Sequence, residues 1–105
     1  AEGADELPIN VIAGVAFGAI QHETILSGAK GLESVEQLST GIYEVTFTTS
    51  FTDANYAVLI QPSVSTSPRM ATTHGHANDS VKVYMRDASG TLIDNYFQIL
   101  AIGNW

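Results

Sequence analysis

Two histidines separated by one glycine, His74 and His76, are the residues whose spacing points most directly to chemistry. In an extended chain, residues two apart point to the same side, so both imidazoles can approach one ion. Imidazole is a common ligand of transition metals. One pair is too small for a closed site, but copies around a threefold axis together supply enough nitrogens for an octahedral ion. The alternative is a pair of solvated loop histidines.

No other pattern in the sequence indicates catalysis. The chain contains no cysteine, and it has neither a G-x-S-x-G nucleophile elbow nor a P-loop or G-x-G-x-x-G motif. Serines and aspartates are present, but no spacing among them favours a triad, which is defined by its geometry. The sequence therefore predicts a protein that is not an enzyme.

A long polar segment, residues 65–79, carries most of the candidates for binding. Its composition predicts a loop, and long loops in compact domains often carry function. We expect a receptor-binding surface in and beside it, formed by Arg69, His74, His76, Asn78, Tyr84 and Arg86. Tyr84 shares a predicted strand face with Arg86, and an exposed aromatic ring there is available for stacking on a sugar. Packing in the core or in an interface is the alternative for this tyrosine.

Charge and composition exclude several classes of partner. The net charge is −7 with only 4 Lys and Arg residues, so no cationic surface for nucleic acid or an anionic membrane can form. No apolar stretch is long enough for a membrane-spanning helix. Charged residues make up 14% of the chain, below the quarter or so that is typical of soluble domains. This deficit favours burial of outer surface against other copies, although a monomer covered by Ser, Thr and Asn fits equally well.

Alternation of apolar and polar residues predicts an antiparallel β protein with roughly six to nine strands and little helix. Residues 43–47 and 81–85 alternate strictly. Residues 11–20, 56–60 and 96–102 are apolar on both faces, which indicates strands that are covered on both sides. One cover is the protein's own core, and we expect the other to be a neighbouring subunit.

The remaining segments define turns and boundaries. Residues 24–26 are predicted as a short strand before a turn, and residues 32–38 fit either a strand or a loose helix. The Ser- and Gly-containing turn at 88–90 is expected to close a hairpin with the last strand. The acidic residues 1–8 are predicted to form a flexible arm. Residues 9–105 are predicted to form a single antiparallel β-sandwich domain of the jelly-roll or TNF-like type.

The chain resembles the C-terminal domains of bacteriophage tail-fibre and related virion proteins from Gly41 onward. Those domains often carry a G-x-Y-x-V-x-F-T-T strand, a D-A-N-Y turn and a V-x-V-x-x-x-D-x-x-G-x-x-x-D-x-x-F hairpin. The matching positions here are Gly41, Tyr43, Val45, Phe47, Thr48 and Thr49, then Asp53 to Tyr56, then Val81, Val83, Asp87, Gly90, Asp94 and Phe97. Some trimeric fibre tips also hold a metal through H-x-H pairs on their threefold axis, and His74-Gly75-His76 has that form.

The resemblance implies a β-sandwich, a homotrimer and recognition of a receptor on a host cell, without catalysis. We therefore expect a tip domain of a phage tail fibre or similar surface fibre, located on the virion or outside the cell. Its expected partners are its own copies and a host cell-surface receptor or glycan, with no nucleic acid and no membrane insertion. A structural trimerisation or decoration domain of a virion and a small carbohydrate-binding lectin are the alternatives. A recognition module should expose residues 65–79 at its distal end, whereas a structural cap should bury them.

Overall fold

The computed structural model describes residues 14–63 and 67–105. The regular elements in these two ranges are all β-strands. In the same part of the chain, no helix is long and apolar enough to cross a membrane. The predicted arm at 1–8 and the first residues of the first predicted strand, 11–13, lie outside the described residues.

The described strands form two antiparallel four-stranded sheets that pack against each other. The strands are β1 (Gly14–Gln21), β2 (Thr24–Ile25), β3 (Leu32–Ser39), β4 (Ile42–Phe47), β5 (Ala57–Pro62), β6 (Arg69–His74), β7 (Ser80–Asp87) and β8 (Phe97–Gly103). Sheet A has the order β2-β1-β8-β5, and sheet B has the order β3-β4-β7-β6. The prediction of an all-β protein built from antiparallel sheets is confirmed.

One hydrophobic core lies between the two sheets. The alternating pattern of β4 and β7 places every second side chain in it, as predicted. Burying one large apolar side chain stabilises a fold by about 1.5–3 kcal/mol, so such a core holds the sheets together without a disulfide. The buried residues are Ala16, Ile20, Val35, Tyr43, Val45, Phe47, Phe51, Tyr56, Val81, Val83, Met85, Phe97, Ile99 and Ala101.

The near end of the sandwich is the end at which β1 begins. Gly14, the first residue of β1, lies opposite Gly103 there. The segment 48–56 crosses between the sheets at the same end, and Phe51 stacks on Tyr56 with ring centroids 4.3 Å apart. The turn between β6 and β7 also lies here, because the hydroxyl of Tyr56 donates to the carbonyl of Ala77 at 2.7 Å.

The far end of the sandwich lies opposite. Here the β1–β2 turn, the β3–β4 turn and the segment 88–96 come together. The amide of Gly41 in the β3–β4 turn donates to Oδ1 of Asp94 at 2.9 Å, and the amide of Gln37 donates to Oε2 of Glu23 at 2.8 Å. These side-chain bonds connect turns that belong to different sheets, so they fix the shape of this end.

The segment predicted as one loop at 65–79 contains a strand at its centre, so the prediction of a continuous loop is wrong. Arg69–His74 forms β6, and all six of its residues pair in register with β7. Its inward positions hold small or polar residues such as Ala71 and Thr73, which give little hydrophobic signal. The backbone pairing with β7 supplies the order that its composition does not indicate. Residues 65 and 66 lie outside the described residues.

The turn at 88–90 closes a short hairpin, in which Arg86 bridges Leu92 and the amide of Asp87 donates to the carbonyl of Thr91 at 2.9 Å. Oδ1 of Asp87 accepts hydrogen bonds from the amides of Ser89 and Thr91 at 2.9 and 3.0 Å, and this fixes the turn. The chain then crosses to the other sheet, and β8 begins at Phe97 between β1 and β5. The predicted pairing of the last strand with β7 is therefore wrong. The two uncertain segments resolve as the short strand β2 and the bulged strand β3.

Candidate functional site

The outer face of sheet B brings three of the predicted receptor-binding residues together. Side chains of β7 at even positions point outward, so Tyr84 and Arg86 lie on this face. The register of β6 places His74 opposite Lys82 on the same face. The rings of His74 and Tyr84 have centroids 4.4 Å apart, and the Arg86 guanidinium carbon lies 5.9 Å from the Tyr84 ring centroid. This aromatic–basic cluster offers ring surface and hydrogen-bond donors to a ligand.

The two residues of the His-Gly-His pattern do not form a pair. Gly75 has a φ of 57°, so the chain turns there and is not extended as the pattern required. The ring of His74 packs on Tyr84, whereas the ring of His76 stacks on Tyr56 with centroids 5.3 Å apart and an interplanar angle of 14°. Nε2 of His76 also lies 3.0 Å from Oγ1 of Thr73. The geometric premise of a shared metal is therefore wrong.

A metal site within one chain finds no support. The described ranges hold no group of three or more His, Cys, Asp or Glu side chains that are placed to bind an ion. A metal held between copies of the chain stays a prediction, and the proposal below does not depend on it.

Two further predicted residues, Arg69 and Asn78, lie at opposite ends of the molecule. Arg69 begins β6 at the far end, opposite Asp87, and its Nη1 donates to the carbonyls of Ser67 and Pro68. Asn78 lies at the near end, where its carbonyl accepts the amide of Phe51 at 2.8 Å. Six residues of strand span about 20 Å, so the six predicted residues do not form one surface.

Burial raises the pKa of Tyr56, which lies beside His76, to about 12, and the neighbouring charge of Asp79 adds to the effect. Its hydroxyl donates to the carbonyls of Ala77 and Ser80. The tyrosine therefore connects segment 48–56 to the turn between β6 and β7. The turn that contains His76 is held in place at the near end, and Ala77, Asn78 and Asp79 in it remain exposed.

The outer face of sheet A is apolar, with the exposed Lys30 beside Phe17 at its edge. None of its four described strands contains Asp, Glu, Lys, Arg or His. Cross-strand pairing places Phe17, Leu100 and Leu59 in one row across β1, β8 and β5. Leu59 is 66% exposed. These side chains and the turn at 27–29 line an open groove of about 700 Å³. The sequence indicated this surface through its strands with two apolar faces.

The far end holds an aromatic pair that the sequence did not indicate. Tyr96 is 40% exposed, and its ring meets that of His22 edge-on, with centroids 5.1 Å apart. Asp94 and Asn95 precede this tyrosine in the chain, and the side-chain amide of Gln37 donates to Oδ1 of Asp94 at 2.5 Å. Burial raises the pKa of the nearby Tyr43, and the charge of Asp94 raises it further.

Comparison of the chain with protein-family models, curated proteins and solved structures found no match. Its function is therefore argued from its own surfaces. These are an apolar face on sheet A, an aromatic–basic cluster on sheet B and an aromatic–polar cluster at the far end.

Proposed function

We propose that the protein is a non-enzymatic receptor-binding domain at the tip of a phage tail fibre or similar surface fibre, and that it acts as a homotrimer on the virion. The observation that carries the proposal is the separation of charge between the two sheets. The strands of sheet A have no charged residue, while those of sheet B contain Glu33, Glu36, Glu44, Arg69, Lys82, Arg86 and Asp87. One face is suited to contact with protein, and the other is suited to water and to a ligand.

The occupant of the sheet A face is proposed to be other copies of the same chain. Each copy carries a net charge of −7, so two copies repel each other over most of their surface. The strands of sheet A contain no charged residue, so copies approach on this face with Lys30 at its edge. The centres of protein interfaces are depleted in charged residues and rich in apolar ones, as this face is. Burial of Phe17 and Leu59 there stabilises the assembly by about 25 cal/mol for each Å² of apolar area removed from water.

This arrangement leaves the receptor-facing surfaces free. With sheet A around the trimer axis, the outer face of sheet B and its cluster of His74, Tyr84 and Arg86 point away from the axis. A stalk joined through the residues before β1 attaches at the near end, so the far end points away from the stalk. The far end and sheet B are therefore the proposed host-facing surfaces.

The finer fold is also part of the proposal. The strand order of sheet B, β3-β4-β7-β6, corresponds to the ABED sheet of an immunoglobulin constant-type sandwich. In sheet A, the neighbours β1-β8-β5 correspond to the GFC sheet, with β1 in the place of strand G. We therefore propose an immunoglobulin-like order in preference to the jelly-roll or TNF-like order, because β3–β4 and β6–β7 are hairpins within one sheet.

Binding to whole cells tests the proposed function. Fluorescently labelled protein is mixed with intact cells from a panel of bacterial hosts, with the Leu59→Asp variant as a matched sample. We expect saturable binding to some hosts, and a loss of about a hundredfold or more in apparent affinity for the variant, because a monomer loses avidity. A trimer that binds no host cell supports the structural trimerisation alternative. Equal binding by a monomeric variant contradicts the trimeric mode of recognition.

A further inference from the structure

We infer that the far end carries a binding site for a neutral sugar residue, formed by the rings of Tyr96 and His22 and the polar side chains of Gln37, Asp94 and Asn95. The inference rests on the proposed function, since it names the chemistry of the receptor. It concerns a different surface from the His74–Tyr84–Arg86 cluster on sheet B.

Tyr96 is presented at the surface by a fixed backbone. Its carbonyl accepts hydrogen bonds from the amide of Ser63 at 2.9 Å and from Nδ2 of Asn95 at 2.7 Å. The next residue, Phe97, is fully buried and anchors the chain in the core. The ring of Tyr96 nevertheless stays 40% exposed. An exposed ring on a rigid backbone binds a ligand with little loss of conformational entropy.

His22 holds one side of that ring. It is the one non-glycine residue with a positive φ, 58°, in the described ranges. This conformation is unfavourable for a residue with a Cβ. The turn nevertheless places the imidazole edge-on against Tyr96, with Nε2 3.4 Å from the tyrosine hydroxyl. Such strained positions are frequent at binding sites, where the surrounding structure holds them.

Hydrogen-bonding groups surround the ring pair. Asp94 is exposed, and its Oδ1 accepts bonds from Gln37 and Gly41. An ionised carboxylate has about four acceptor sites, so Asp94 can still accept hydroxyl donors from a ligand. The side-chain NH2 groups of Gln37 and Asn95 already donate within the chain, so these two amides offer their oxygens as acceptors. Sugar hydroxyls can donate to these oxygens, while the apolar C–H face of a pyranose fits an aromatic ring.

The charges at the far end favour a neutral sugar over an acidic one. Asp94 and Glu23 both lie within the network of Gln37, and a ligand carboxylate or phosphate is repelled by them. The basic residues of this end already donate through Nη1 to backbone carbonyls, Arg69 to those of Ser67 and Pro68 and Arg86 to that of Gly90. Lys82 lies further along β7, on the outer face of sheet B.

Titration with simple sugars tests the inference. The probes are the methyl glycosides of glucose, galactose, mannose and N-acetylglucosamine, with methyl glucuronide and sialic acid as acidic probes, followed by saturation-transfer NMR and calorimetry. We expect at least one neutral glycoside to bind more tightly than either acidic probe. Tyr96→Ala should weaken that binding about tenfold or more, whereas Tyr96→Phe should stay within about twofold. Trp105→Ala, which removes a 46% exposed ring at the near end, is the matched control and should leave binding unchanged.

A further variant separates binding from folding. His22→Gly relieves the strained φ and removes the imidazole, so the melting temperature should hold or rise while glycoside binding weakens severalfold. Binding to host cells without binding to any neutral glycoside overturns this inference and leaves the proposed function intact. Glycoside binding at the far end without binding to cells leaves this inference intact and contradicts the proposed function. Equal losses in Trp105→Ala and Tyr96→Ala also overturn the inference.

Discussion

At the scale of single residues, Gly41 shows how closely backbone segments approach at the far end. Its φ is 74°, and a Cβ placed there meets the carbonyl oxygen of Met85 at 2.8 Å and backbone atoms of Ile93 at 2.9 Å. Gly90 has a similar φ of 90° but no atom within 4 Å of that position. Gly41→Ala should lower the free energy of unfolding by at least about 3 kcal/mol, and Gly90→Ala by about 1 kcal/mol. Denaturant titration measures both, and equal losses would contradict the close approach.

The raised pKa of Tyr56 predicts that the protein loses stability at high pH. The pKa of this tyrosine in the folded protein is about 12, against an ordinary value of 10.0. The folded state therefore holds the phenolic proton more tightly than the unfolded state, so the stabilisation is complete below pH 10 and is lost as the pH rises through 12. Tyr56→Phe should unfold more easily at neutral pH, because two carbonyls lose their donor, but its stability should fall less between those pH values. A steeper fall in the variant would contradict this assignment.

Sequence spacing predicts contacts within one strand better than contacts between strands. Tyr84 and Arg86 share a face because residues two apart in a strand always do. Their contact with His74 depends on the register of β6 with β7. The pairing of His22 with Tyr96 joins residues 74 positions apart, and no local pattern encodes it. The extended geometry assumed for His74 and His76 failed because Gly75 adopts a positive φ that its sequence permits but does not require.

At the scale of elements, strong alternation gave the strands that form the centre of sheet B. Residues 43–47 and 81–85 place large apolar side chains on one face, so β4 and β7 were predicted correctly. The edge strand β6 was not predicted, because an edge strand has one neighbouring strand and contributes fewer side chains to the core. Its order comes from backbone bonds to β7, which composition cannot show. Composition also cannot show the crossing of the chain from β7 to sheet A, because this crossing depends on how the side chains of β8 pack in the core.

Two adjacent residues of β8 point to opposite faces of sheet A and are expected to have different roles. Ile99 is buried between the sheets, and Leu100 points out of sheet A. Ile99→Ala should lower the free energy of unfolding by about 2–4 kcal/mol, because it leaves a cavity in the core. Leu100→Ala should cost less than half of that and should weaken association between copies instead. Denaturant titration and sedimentation measure the two effects, and the reverse ranking would place the core on the other face of β8.

At the scale of the whole molecule, the described strands of sheet B contain charged residues and those of sheet A contain none. This difference connects the fold to the proposed function. Exposed apolar patches such as the outer face of sheet A promote association. Burying like charges opposes the assembly of an acidic chain, so this face suits the proposed trimer interface. In the proposed trimer, sheet B and the far end stay exposed, and these carry aromatic and hydrogen-bonding groups.

Leu59 provides the sharpest test of that assembly. It is 66% exposed on the outer face of sheet A, so Leu59→Asp should fold normally but place three like charges near the trimer axis. We expect a mass three times that of the 11.2 kDa chain for the unaltered protein and the mass of one chain for the variant, by light scattering at micromolar concentration. Met70→Asp is the matched control, because Met70 is 45% exposed on the edge strand of sheet B, and it should remain trimeric. A monomeric unaltered protein, or two variants that both remain trimeric, would contradict an interface through sheet A.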